Sequence, residues 1–170
     1  MTPERRTELD RYLQIAGKYF DLKLSEAMFA GAILQVAYMA VRLYSQNVAI
    51  PMDSRHLVQP SQKTAVQFCI GPLQYGIRSG PIVFAARNQY NHWDAKEPRE
   101  PTKAIFNALS AAFSQNMWAD MAFEVSNQTI NVYANEILLI ALGWTMYQKY
   151  QAELSGMLDG SPSAAVSVDA

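Results

Sequence analysis

Cysteine occurs once in these 170 residues, histidine twice, and charged side chains make up only 17% of the chain. Each scarcity excludes something. A single Cys69, set among Val66, Phe68 and Ile70 with no basic neighbour, leaves no internal disulfide and reads as a small buried hydrophobe. Two histidines, His56 and His92, exclude a histidine-rich metal site within one chain, and no cofactor is expected. The charged share falls below the globular norm of about 25%. A surface short of charge is one that is partly covered, most simply by a second copy of the chain. The formal net charge of −1 supplies no global basic field, so contact with nucleic acid would depend on a local patch. Met1 to Arg6 lead into an amphipathic pattern instead of the apolar core of a signal peptide, making a cytoplasmic location the default expectation.

What the chain does have is apolar bulk, 50% of its residues, in amounts that suit one domain with a real core. The periodicity predicts an all-α fold over 1–158, with a disordered tail of small residues at 159–170. Thr2 as N-cap and Pro3 behind it open a first helix carrying Leu9, Leu13, Ala16, Tyr19 and Phe20, expected to lapse at 21–24. Ser25 then reads as a new N-cap for the apolar run 27–44. That run is long enough to raise a membrane span, but Gln35 interrupts it, and a buried central helix is the preferred reading, with no membrane partner. A loop is expected over 46–60; its Arg55-His56 pair reads first as solvated, with approach to a ligand as the alternative.

Ser61 is expected to cap a short helix through Cys69, ended by Gly71-Pro72 and Gly76. Ser79-Gly80-Pro81 opens the next helix, which must stop soon after Asp94 because Pro98 and Pro101 cannot continue it. Pro101-Thr102 starts another, with Ile105, Leu109 and Phe113 on its stripe. Residues 123–133 have some strand character and read equally as a short hairpin or an irregular helical stretch. A final helix is expected over 135–158, its core stripe including Ile140, Ala141, Trp144, Tyr147 and Tyr150.

Arg87-Asn88-Gln89-Tyr90-Asn91-His92 gathers the chain's best candidates for chemistry near one helix end. Ideal helical geometry sets Arg87 and His92 about 140° apart, so Arg87 needs its length to reach a shared ligand. Asn88 shares a face with His92 and is placed to fix its tautomer; Asn91 lies one turn beyond Arg87 and is placed to steady the guanidinium. A histidine titrates near neutral pH, and an arginine offers forked donors that match phosphate oxygens. Together they suit phosphodiester transfer, with His92 as general acid or base and Arg87 stabilising developing charge. One histidine serves both ends of such a reaction poorly, and a dimer would supply a second. The competing reading is a surface Arg and His that merely favour a helix C-terminus.

The same segment resembles the signature of the HEPN superfamily: arginine, a polar residue, three more, then histidine. The resemblance implies a helical bundle, commonly dimeric, that cuts RNA without metal to leave 2′,3′-cyclic phosphate ends, often in toxin–antitoxin or phage-defence settings. It implies catalytic roles for Arg87 and His92 and a supporting role for Asn88, with RNA as substrate and an antitoxin protein as a further partner. One HEPN subgroup carries a modified tyrosine two residues after the histidine. Here that position is Asp94, which can orient His92 or sit solvated, so that regulation does not carry over. Some members lack activity and act as modules binding RNA or a protein.

Overall fold

The computed structural model describes residues 3–92, 98–114 and 140–159. Over these the chain is mostly helical: α1 (Pro3–Tyr44), α2 (Lys63–Gln67), α3 (Ser79–Asn91), α4 (Thr102–Ser114) and α5 (Tyr147–Leu158). A 3₁₀ turn spans Met52–Ser54, and a two-stranded antiparallel hairpin pairs β1 (Leu73–Gln74) with β2 (Ile77–Arg78). The all-α class holds. Residues 123–133, Asp94 and the tail from 160 lie outside the described residues, as does Thr2.

The break expected at 21–24 does not occur. α1 runs unbroken for 42 residues, about 63 Å at 1.5 Å per residue. No glycine or proline falls between Lys18 and Ala30 to stop it. Ser25, instead of capping a second helix, donates its hydroxyl hydrogen bond back to the Asp21 carbonyl at 2.8 Å, which satisfies it within a continuous helix.

The two halves of α1 have different surroundings. Ala27, Ala30, Leu34, Ala37 and Val41 form a buried stripe against the rest of the fold. Among the described residues the N-terminal half finds no such cover: Leu9 and Leu13 are exposed. The segment Leu24–Tyr44 has the length and mean hydropathy (1.5) of a membrane span, and about 33% of it is buried within the fold. Its opposite side presents Phe29, Ile33, Val36 and Leu43 outward.

The core joins the C-terminal half of α1 to α3 and α4. Tyr38 stacks on Phe68 with ring centroids 4.7 Å apart, and Phe68 meets Phe84 edge-on at 5.3 Å, tying α1, the end of α2 and α3 together. Ile105, Phe106 and Leu109 of α4 complete it. Each such fully buried side chain contributes about 1.5–3 kcal/mol relative to exposure.

Two turns differ from expectation. Ser61 does not cap α2; Gln62 precedes the helix without a side-chain cap, its Oε1 accepting from the Gln59 amide at 2.8 Å. Past Gly71-Pro72 the chain forms the hairpin, whose two-residue turn places Tyr75 at φ 52° and Gly76 at φ 80°, as a type I′ turn requires. At the other end, the helix expected over 135–158 is interrupted. Gly143 takes φ 62°, Thr145 donates to the Gly143 carbonyl at 2.9 Å, and α5 begins only at Tyr147. Trp144 is buried with its indole N–H donating to Glu153 at 2.8 Å, whereas Tyr147, expected in the core, is exposed.

Candidate functional site at the end of helix α3

α3 carries the Arg–His segment, and its first turn is firmly anchored. Arg78, not Ser79, occupies the N-cap position with extended backbone (φ −66°, ψ 144°). Its guanidinium grips Asp53 through Nε to Oδ1 at 2.9 Å and Nη2 to Oδ2 at 2.7 Å, and reaches the Gly71 carbonyl at 3.1 Å. The bidentate Arg78 hydrogen bonds hold the Asp53 carboxyl below its ordinary range. Ser79 is buried and directs its hydroxyl at the Met157 sulfur. Gly80 donates its amide to the Ile70 carbonyl at 3.1 Å, and a Cβ there would strike the Phe68 carbonyl oxygen. Residues 79–86 are all buried, so α3 is fixed along most of its length and emerges only at its C-terminal turn.

At that turn the candidate residues part company. Arg87 is half-buried and faces α1. Its guanidinium carbon lies 4.4 Å from the Tyr38 ring centroid, and its Nε donates to Gln35 Oε1 at 2.9 Å. Oriented to satisfy its neighbours, the Asn91 amide oxygen accepts from Arg87 Nε at 2.8 Å and Nη2 at 2.9 Å. Asn91 therefore steadies the guanidinium as its spacing predicts. Asn88 Oδ1 completes the set, accepting from Nη1 at 3.4 Å.

His92 ends the helix. Its amide donates to the Asn88 and Gln89 carbonyls at 3.0 and 3.2 Å, and its backbone turns away at φ −121°, ψ 40°. That departure breaks the expected side-chain pairing with Asn88: among the described residues no hydrogen bond joins the two side chains, and Asn88 turns to Arg87 instead. The exposed imidazole lines a groove of about 340 Å³ with Phe84, Asn88, Arg99, Glu100 and Thr102. Glu100 is engaged there with its Oε2 accepting from the Ala104 amide at 3.2 Å.

The structure thus brings Arg99, not Arg87, to the His92 groove. Arg99 lies between Pro98 and Pro101, and nothing in its spacing from His92 marked it. Arg87 turns to Gln35 and Tyr38 of α1, whereas His92, past the last helical residue, lines the groove with Thr102 of α4. Chemically, the groove offers an exposed imidazole and an arginine on one lining, while Arg87 offers a guanidinium held between an aromatic face and three amides. No family model, curated protein or solved structure matches this chain.

Proposed function

We propose that the protein is a metal-independent endoribonuclease of the HEPN type, working as a homodimer in a cytoplasmic toxin or phage-defence role, with an antitoxin protein as its natural regulator. The observation that carries this reading is the exposed His92 imidazole on a groove whose other wall supplies Arg99. The substrate's 2′-hydroxyl attacks the adjacent phosphorus, the P–O5′ bond breaks, and a 2′,3′-cyclic phosphate is left. His92 takes the 2′-hydroxyl proton, and water in the open groove gives one to the departing 5′-oxygen. Arg99 offsets the charge gathering on the phosphate oxygens. Arg87, held by Gln35, Asn88 and Asn91, acts on a phosphate only by exchanging one of these amides for it. The outward apolar side of α1, with Phe29, Ile33 and Val36, suits burial against the second copy.

A second reading is favoured by Arg87 itself. Its donors are directed at the chain's own amides, as in a structural arginine, which suits a non-catalytic module binding RNA or a protein through the same groove. The deciding experiment is cleavage of a mixed RNA in EDTA by wild type, His92→Ala and Arg99→Ala. The ribonuclease reading expects cyclic-phosphate ends from wild type, none from His92→Ala, and a tenfold or greater loss in Arg99→Ala. No cleavage by well-folded wild-type dimer moves the assignment to the binding module.

A further inference from the structure

A second and larger cavity, about 820 Å³, opens between the end of α1, the following loop and α2. Its volume falls within the range of small-molecule sites, about 300–1,000 Å³. Its floor is aliphatic, with Val58 and Val66 buried and Ile50 half-buried. The frame around that floor is tied together by polar groups. Ser45 donates its hydroxyl to the Gln67 carbonyl at 2.9 Å, and the Asn47 amide donates to the carbonyls of Ala49 at 2.9 Å and Val66 at 2.6 Å. Arg42 fixes the Gln67 side chain from outside. The cavity is therefore a shaped feature of the fold and not a gap between loose loops.

Its charge is one-sided. Arg55 and Lys63 both line it, and among the described residues no carboxylate lines it and no acidic side chain pairs with either cation. The nearby Asp53 is committed to Arg78. An apolar cavity carrying two uncompensated cations at its exposed edge matches a ligand with an apolar body and an anionic head. Among the described residues no aromatic ring lines it, so a nucleobase would find no stacking surface there, whereas an alkyl chain would meet valine and isoleucine.

We propose that this cavity binds an amphipathic aliphatic carboxylate, its chain on Val58, Val66 and Ile50 and its head group between Arg55 and Lys63. The site is separate from the α3 groove and independent of any catalytic role for His92. It gives the Arg55-His56 loop a use for the arginine; His56 does not line the cavity.

The test is titration of the isotopically labelled full chain with decanoate, decanol and adenosine monophosphate, read by amide chemical shifts and calorimetry. The proposal expects decanoate to shift amides of residues 45–50 and 63–67. It expects decanol to bind at least tenfold more weakly, and the exposed-site double variant Arg55→Gln/Lys63→Gln to lose decanoate affinity at least tenfold while keeping its helical circular dichroism. Equal binding of decanol and decanoate, unchanged affinity in the double variant, or shifts confined to the outer face of α1 around Phe29 and Ile33 would overturn it. Binding of the nucleotide in place of decanoate would overturn the ligand class, and absence of any shift would overturn the site.

Discussion

The ring of Tyr90 on α3 occupies the space that a Cβ on Gly31 of α1 would fill. The packing of Tyr90 against α1 thus depends on one hydrogen atom in place of a side chain. Gly31→Ala would force the Tyr90 ring away, and overpacking of this kind costs about 1–3 kcal/mol. Gly17, also on α1, has open space around its Cβ position. Gly17→Ala is expected to be neutral or stabilising by about 0.5–1 kcal/mol through helix propensity. Denaturant midpoints of the two variants provide the comparison; equal effects would contradict the packing seen at Gly31.

Stability and activity should separate between the two arms of the Arg–His segment. His92 is exposed, so His92→Ala should alter unfolding free energy by no more than about 0.5 kcal/mol. Arg87→Ala removes a cation from the Tyr38 face and leaves the amides of Gln35 and Asn91 without their donor. A loss of about 1–3 kcal/mol is expected. Urea unfolding of both variants measures this, and an Arg87→Ala protein as stable as wild type would show the cage to be energetically idle.

The Asp53–Arg78 pair predicts a response to acid. Asp53 has its folded pKa lowered below 3.8, chiefly by its hydrogen bonds to Arg78. The folded state therefore keeps the carboxylate charged at pH values where the unfolded chain has begun to protonate. Its contribution is complete above the unfolded value and is lost as pH falls through the folded one. Between wild type and Asp53→Asn, the stability difference should shrink as pH drops from 5 toward the folded pKa. A gap that stays constant over that range would contradict the pairing.

Burial raises the Cys69 thiol from 9.0 to about 11, with desolvation as the main cause. At pH 8 its thiolate fraction is then about a hundredfold below that of an exposed cysteine. Reaction with a thiol reagent should be slow in the native protein and immediate in denaturant. Fast native labelling would mean that the region around α2 opens readily.

The outward side of α1 predicts the solution mass. Val36→Glu places a charge on the exposed face beside Ile33, away from the buried stripe of Leu34 and Ala37. Sedimentation should show wild type as a dimer and Val36→Glu as a folded monomer. A variant that keeps wild-type mass would remove this face from the dimer proposal.

Much of the fold follows from local signals. Gly80-Pro81 before an apolar run, and Pro101-Thr102 before another, mark α3 and α4 because backbone rules act within a few residues. α1 was legible as two helices because its apolar pattern lapses near Asp21, yet a lapse in pattern does not break a helix that lacks glycine or proline there. The Gly143 turn was hidden for the opposite reason: apolar residues on both sides of one glycine keep the pattern of a helix through a left-handed turn. At the candidate site, Asn91 beside Arg87 was readable from one turn of spacing. Arg99 was not, because its meeting with His92 is set by how the chain returns to α4, a tertiary matter that no local period records.

The rigidity of α3 has a kinetic consequence. Arg87 rides on the buried, anchored body of α3, and His92 caps its end. If chemistry requires the paired form, encounter between chains governs it. Turnover per chain would then climb with protein concentration and level off as pairing saturates, making abundance itself the control on such an enzyme.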